Sequence, residues 1–227
     1  MCRKLIDFGL PLGILLLLTA LIAVSGADLK LSTIAYRAGG WPLGNLQPWR
    51  FFYLYGFYPA YILGGLALGL FGATYVRPPL AEFRKGALFM VLLLALGPGL
   101  LVNEVIKVNW GRERPRQMTL FGGSKAYQQP WERGEPGTGR SFPSGHAGSA
   151  FYLAMPYFVL RRRKPHLAAL VYSGGMFYGI LMGIARIVQG GHFVSDILWA
   201  WGVVHLTAVA LYYLMKLDIE EFPRSKA

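Results

Sequence analysis

The sequence predicts an all-α fold: an integral membrane bundle of six helices with a long polar loop region on the extracytoplasmic side. Three observations carry that expectation. Of the 227 residues, 54% are hydrophobic and only 15% charged, and the mean hydropathy is +0.40, a balance outside that of soluble domains. The apolar residues fall into runs of about 20, the length that crosses a ~30 Å hydrocarbon core as helix. The formal charge of +12 sits in short clusters that bracket those runs, which points to membrane lipids rather than nucleic acid as partners. Cys2 is the only cysteine, which excludes an intrachain disulfide and a thiolate metal site.

Arg3 and Lys4 precede Leu5 to Gly26, a nearly uncharged run that forms the first span. Ser25-Gly26-Ala27 also offers small residues of the kind a signal peptidase accepts, and the retained helix is the preferred reading. Asp28 to Arg50 reads as a mixed loop without evident chemistry, with Gly39, Gly40, Pro42 and Gly44 as turn formers and Trp41 and Trp49 at an interface. Phe51 to Val76 forms the second span, and Arg77 to Lys85 a short basic turn. Gly86 to Ile106 forms the third, weakened at Gly97-Pro98-Gly99 and ended by Lys107. Asn109 to Arg140 is a long polar segment of turn-forming character. The fourth span runs from Pro143 to Leu160, with a kink expected at Pro156, and stops at Arg161-Arg162-Arg163-Lys164. Leu167 to Ile187 forms the fifth, Gly190-Gly191 break the helix, Phe193 to Lys216 form the sixth, and a short charged tail ends at Ala227. With no repeat or composition break, residues 1–227 read as one membrane-embedded domain.

Charge placement sets the topology. With both termini in the cytoplasm, 12 Lys and Arg lie on that side and 11 on the other. Eight of those 11 lie between Lys107 and Arg140 or at Arg186, where they converge with histidines and are not free to serve only as topogenic signals. The short loops therefore favour termini inside.

Ser141-Phe142-Pro143-Ser144-Gly145-His146 sits where a polar loop meets an apolar run. A helix N-terminus there presents unpaired N–H groups and the positive end of the macrodipole, so Ser144 and Gly145 can cradle a phosphate beside His146. Lys107 ends span three, His146 opens span four, Arg186 ends span five and His192 opens span six, and antiparallel neighbours bring all four to one surface. His192 and Asp196, four apart on a helix, share a face, so the carboxylate fixes the imidazole tautomer and leaves the other nitrogen available as nucleophile or base. His146 supplies the acid that phosphoester cleavage needs. Lys107, Arg114 and Arg186 supply three cations for a phosphoryl group carrying about −1.5 to −2 charge. This set needs no cofactor and no metal.

At these residues the chain resembles the type 2 phosphatidic acid phosphatases, which share motifs with vanadium haloperoxidases and some bacterial acid phosphatases. Lys107 to Pro115 fits Lys, six residues, Arg-Pro; Pro143-Ser144-Gly145-His146 fits a second block; Arg186, five residues, His192, three residues, Asp196 fits a third. The motif-bearing core is 107–196, and Ala185 stands where family members commonly have Ser. The resemblance implies a lipid phosphate or pyrophosphate phosphatase of a bacterial inner membrane, facing the periplasm or cell exterior. It further implies that His192 attacks phosphorus to form a phosphohistidine, that Asp196 orients His192, and that His146 protonates the leaving oxygen and later activates water. Lys107, Arg114, Ser144, Gly145 and Arg186 then hold the phosphoryl oxygens. Transfer to another lipid or sugar is an alternative outcome for the same intermediate, and a non-catalytic lipid-phosphate binder is the alternative from another class. A His-Asp pair with a second histidine argues against the binder, because binding needs cations alone.

The remaining candidates are weaker. Arg112, Arg116 and Arg140 border the site, as substrate contacts or as solvated charge, and Glu104 is placed to pair with Lys107. Trp110, Tyr127 and Trp131 suit an interfacial belt, and His166 and His205 are structural. Gln117 to Gly139 is long enough to select the headgroup, with phosphatidylglycerol phosphate, phosphatidate, undecaprenyl pyrophosphate and lipid A phosphate all open.

Overall fold

A computed structural model describes residues 2–219, which are helical apart from turns, loops and two isolated bridges; the end of the expected charged tail, from residue 220, lies outside them. In chain order the helices are α1 (Cys2–Ser25), α2 (Ala27–Ala35), α3 (Trp49–Tyr55), α4 (Tyr58–Val76), α5 (Arg84–Leu94), α6 (Lys107–Trp110), α7 (Gly145–Tyr152), α8 (Pro156–Leu160), α9 (Pro165–Val188) and α10 (Val194–Leu214). Among the described residues five helical stretches are long and apolar enough to cross a membrane: Arg3–Ser25, Trp49–Val76, Pro78–Gln117, Pro165–Val188 and Val194–Leu214.

The expected fourth span is corrected. Residues 153–155 form turns, so Pro143 to Leu160 is two short helices, and Pro156 opens α8 rather than kinking a continuous one. The pair still runs the length of the third span. A Cβ on Gly145 would approach Lys107 Nζ at one end, and one on Gly86 would approach Val159 at the other. The broken helix passes tightly beneath α9, where Gly175, Gly179 and Gly183 follow each other at one-turn spacing. A Cβ on Gly175 would meet the Ala154 backbone at 2.3 Å, and one on Gly179 would meet the Phe151 ring at 2.2 Å. Close backbone approach of this kind replaces the hydrophobic drive that lipid surroundings withhold.

The third span is interrupted as its Gly97-Pro98-Gly99 predicts, but by widening rather than by a simple kink. Ala95–Ile106 is π-helical between α5 and α6. Pro98 has no N–H to donate, so the regular ladder cannot continue through it. The Asn103 side chain occupies the Pro98 carbonyl at 2.8 Å.

The segment expected as a loop from Asp28 is also corrected. Gly26, at φ +67°, ends α1, and Ala27–Ala35 forms a separate helix, α2. Below it α1 docks on α10, with Leu15 against Gly202 and Trp199 Nε1 donating to Thr19 Oγ1 at 3.1 Å. The main core lies between α5, α7, α8 and α10 around Phe89, Leu93, Tyr152, Met155 and Val204. A separate cluster of Met118, Phe121 and Phe193, with Tyr36, Trp41 and Tyr127 against it, roofs the turn before α10.

Candidate active site

Helix ends and one turn build the site. Gly190, at φ +60°, turns the chain out of α9, and the Gly191 N–H returns to the Arg186 carbonyl at 3.0 Å. His192 and Phe193 then lead into α10, where Phe193 N–H donates to Asp196 Oδ2 at 2.7 Å. This closes the first turn of α10 on its own carboxylate, a capping geometry that satisfies an otherwise orphaned donor.

His192 is 2% exposed. Its Nδ1 lies 2.7 Å from the Ser141 carbonyl and 3.5 Å from Asp196 Oδ2. The expected division of labour therefore changes. A carbonyl can only accept, so Ser141 holds Nδ1 as the donor, and Asp196 stands behind as a nearby charge and as the anchor of the Ser141 side chain. Ser141 Oγ donates to Asp196 Oδ2 at 2.5 Å, and Ser141 N–H donates to the Arg112 carbonyl at 2.9 Å. Nε2 keeps its lone pair. Burial, together with the Arg186 and Lys107 charges and against the pull of Asp196, holds the His192 imidazole down to about 3, so it is neutral at ordinary pH.

A cavity of about 450 Å³ opens in front of His192. Its polar wall is Asn103, Lys107, Arg114, Arg140, Gly145, His146, Ser149 and Arg186, and its aromatic wall is Tyr53, Phe57 and Tyr61. Of the predicted residues, Lys107, Arg114, Gly145, His146, Arg186 and His192 thus share one chamber. Asp196 is buried behind His192, and Ser144 caps α7, its Oγ accepting from the Ala147 N–H at 3.4 Å. His146 at the start of α7 is held between rings, with Tyr53 stacked at 5.7 Å and Phe57 edge-on at 5.4 Å between centroids. Arg186 is 4% exposed, lies over the Tyr53 ring at 4.6 Å, and bonds Gln189 Oε1 through Nη1.

Lys107 Nζ donates to Asn103 Oδ1 at 2.9 Å, and Glu104 is exposed. Helical spacing allows Lys107 a partner three or four residues earlier, and the structure selects Asn103, four residues earlier, over Glu104. Asn103 thereby links the Pro98 carbonyl to the cation that faces the cavity. The fit is tight: a Cβ on Gly145 would lie 2.3 Å from Asn103 Oδ1 and 2.8 Å from Lys107 Nζ.

Arg112, weighed as a substrate contact or solvated charge, is neither. It is 0% exposed and uses all five N–H donors. Nη1 reaches Asp196 Oδ1 at 2.6 Å and Ser195 Oγ at 2.7 Å. Nη2 reaches Asp28 Oδ2 at 2.8 Å and the Gln128 carbonyl at 2.9 Å, and Nε reaches the same carbonyl at 3.0 Å. Arg140 lies in the cavity wall, whereas Arg116 is exposed and binds the Gly190 carbonyl through its backbone.

Asp28 is the residue that sequence reasoning missed. The one available signal was scarcity: Asp7 and Asp28 are the only acids before Glu82, one near each end of the first apolar run. The loop 117–139 also differs from expectation, since the cavity wall takes none of its residues. It instead supplies Gln128 to Arg112, and Tyr127, whose hydroxyl donates to Asp28 Oδ2 at 3.2 Å. Burial, with Asp28 beside it, pushes the Tyr127 phenol above its ordinary range, so it stays a donor. Trp110 likewise packs inward, on Phe142 at 4.9 Å with Nε1 on the Pro130 carbonyl, while Trp131 is exposed.

Sequence and fold comparisons point the same way as this geometry. The PAP2 superfamily matches residues 87–220. The chain is 34% identical to a lipid A 4'-phosphatase of Francisella tularensis subsp. novicida (strain U112) over 164 residues, 70% of this chain and 71% of that one. It is 30% identical to phosphatidylglycerophosphatase B of Bacillus subtilis (strain 168) over 147 residues, 63% of each. The crystal structure of a transmembrane PAP2 type phosphatidylglycerolphosphate phosphatase from Bacillus subtilis shares the fold, with a TM-score of 0.51 at 24% identity over 96% of this chain and 99% of that one.

Proposed function

The chain belongs to the PAP2 superfamily as an integral membrane lipid phosphatase, and from that premise we propose that His192 carries the phosphoryl group between lipid and water. One observation supports this most directly: Nδ1 of His192 is held by the Ser141 carbonyl, which leaves Nε2 as the basic nitrogen of a residue that lines the cavity. As the Nε2–P bond forms, the ester P–O bond breaks and His146 gives its proton to the departing oxygen. Water then attacks phosphorus, His146 takes a proton from it, the N–P bond breaks, and inorganic phosphate leaves. Lys107, Arg114, Arg140, Arg186 and the Gly145 N–H face the charge that develops on the equatorial oxygens. These groups supply the positive charge that the reaction requires, and chelators are expected to leave turnover intact.

The favoured substrate is a phosphate on a lipid-linked sugar, as in lipid A. The name of the most extensively matched relative above supports this, as does the aromatic wall of Tyr53, Phe57 and Tyr61, which offers flat apolar faces beside the cations. The basic clusters at Arg161 to Lys164 and at Arg84-Lys85 lie at the end of the bundle opposite the cavity, which supports a site on the periplasmic side of the inner membrane. Phosphate release by purified protein from lipid A 4'-phosphate, phosphatidylglycerol phosphate, phosphatidate and undecaprenyl pyrophosphate tests the substrate choice. His192→Ala should abolish release from every substrate that the parent cleaves; turnover near that of the parent removes the nucleophile assignment.

A further inference from the structure

We propose that Asp28, supplied by α2 from outside the region matching the family, is a positioning residue for the His192 nucleophile and acts through Arg112 on Asp196. The proposal rests on the phosphohistidine reading. Asp28 is 1% exposed and both of its oxygens are engaged. Oδ1 accepts from Ser195 N–H at 2.9 Å. Oδ2 accepts from Ser195 Oγ at 2.5 Å, Arg112 Nη2 at 2.8 Å and Tyr127 OH at 3.2 Å.

Two consequences follow for the nucleophile. The first is mechanical. Ser195 directly precedes Asp196, so Asp28 clamps the first turn of α10, the turn whose carboxylate binds Ser141 Oγ, and Ser141 in turn holds Nδ1 of His192. The second is electrostatic. Arg112 lies between two carboxylates, Asp28 and Asp196, so the three groups together carry one negative charge. With Asp28 neutral, Arg112 cancels Asp196 and the set carries none. The imidazole gains positive charge as the N–P bond forms, and in a dry interior one missing negative charge behind it raises that barrier. Asp28 is not in the cavity wall, so substrate binding does not depend on it in the same way.

The test uses the full chain in detergent, with Asp28→Asn and Asp28→Glu, and reads kcat, KM and inhibition by orthovanadate and by inorganic phosphate. Vanadate mimics the trigonal-bipyramidal state bonded to the nucleophile, whereas phosphate reports only the cation cradle. Asp28→Asn should lower kcat by roughly 10- to 100-fold with KM within about twofold, raise the vanadate Ki by a comparable factor, and leave the phosphate Ki within about twofold. Asp28→Glu should recover part of the vanadate affinity. A lower kcat with both Ki values unchanged means only that less protein is active, and overturns the proposal; equal rises in both place the damage in the cradle and also overturn it. If Asp28→Asn does not fold, Tyr127→Phe removes the hydroxyl that reaches Asp28 Oδ2 at 3.2 Å and Gln129 Oε1 at 3.3 Å and should weaken vanadate but not phosphate, an unchanged ratio again overturning the proposal. Failure of vanadate to inhibit the parent better than phosphate is a separate result: it overturns the phosphohistidine reading, and this proposal with it.

Discussion

Each end of the first apolar run carries an acid that meets a buried arginine, but the two pairs serve different ends of the molecule. Near the start of α1, Asp7 accepts from Arg161 at 2.7 Å and from Tyr213 at 2.6 Å, and the guanidinium lies over the Tyr212 ring at 4.0 Å. Just past the other end of the run, Asp28 meets Arg112, whose remaining donors reach Asp196, Ser195 and a backbone carbonyl. Arg161 has one carboxylate and aromatic neighbours, so its charge is spent on joining α1, α8 and α10. Arg112 has two carboxylates, one of which lies 3.5 Å from His192, so what happens at one is felt at the other. A closed pair holds helices together, whereas a shared cation couples one segment to the chemistry of another.

Arg112→Met should have the largest effect. It leaves Asp28 and Asp196 buried without their cation, costing about 3–5 kcal/mol of stability and, through the displaced turn, about 100-fold or more in kcat/KM. The matched change at the other pair, Arg161→Met, should lower the thermal midpoint in detergent while kcat stays within about twofold, since Arg161 has no contact with the cavity. Comparable losses of kcat in the two variants would erase the distinction.

Gly145→Ala tests the cavity side of the same comparison. Its Cβ would lie 2.3 Å from Asn103 Oδ1, pushing Lys107 aside and lowering kcat/KM by about 100-fold with little change in the unfolding midpoint. Asn103→Ala should act in the same direction but less, by roughly 10-fold, through loss of one hydrogen bond to a charged group of about 1.5 kcal/mol; steady-state phosphate release measures both.

A last contrast lies in the pH dependence of stability rather than in turnover. The His192 imidazole is held at about 3 in the folded protein and near 6.5 when unfolded. Between these values the unfolded chain binds a proton that the folded chain does not. The contribution is therefore fully present above about 6.5 and is lost as pH falls towards about 3. Unfolding midpoints of His192→Asn, which keeps a donor for the Ser141 carbonyl, should fall less steeply than those of the parent over that window.

Much of the fold and site was legible in the residues. Apolar run length and flanking charge located the spans, because crossing a hydrocarbon core is a constraint each segment meets by itself. Alternation of span direction brought Lys107, His146, Arg186 and His192 to one surface without knowledge of packing. The fourth span misled, since residues 143–160 have the composition of a helix, and only tight passage under Gly175 and Gly179 shows how the break at residues 153–155 is accommodated. Glu104 misled because helical spacing offers Lys107 both Asn103 and Glu104, and only the packing turns Asn103 inward and leaves Glu104 exposed.

What the sequence determined by itself was the class of fold and the gathering of Lys107, Arg114, Gly145, His146, Arg186 and His192 around one cavity. What the tertiary structure decided was who holds those groups: Ser141 rather than Asp196 on Nδ1 of His192, Asn103 rather than Glu104 on Lys107, and Asp28 on Arg112. The physical reason is range. Membrane level and helix face are written in spacings of a few residues, whereas Arg112 and Asp28 meet across 84 positions and Ser195 and Asp28 across 167. A buried charge must find its partner, but which distant residue supplies it is fixed only when the helices pack.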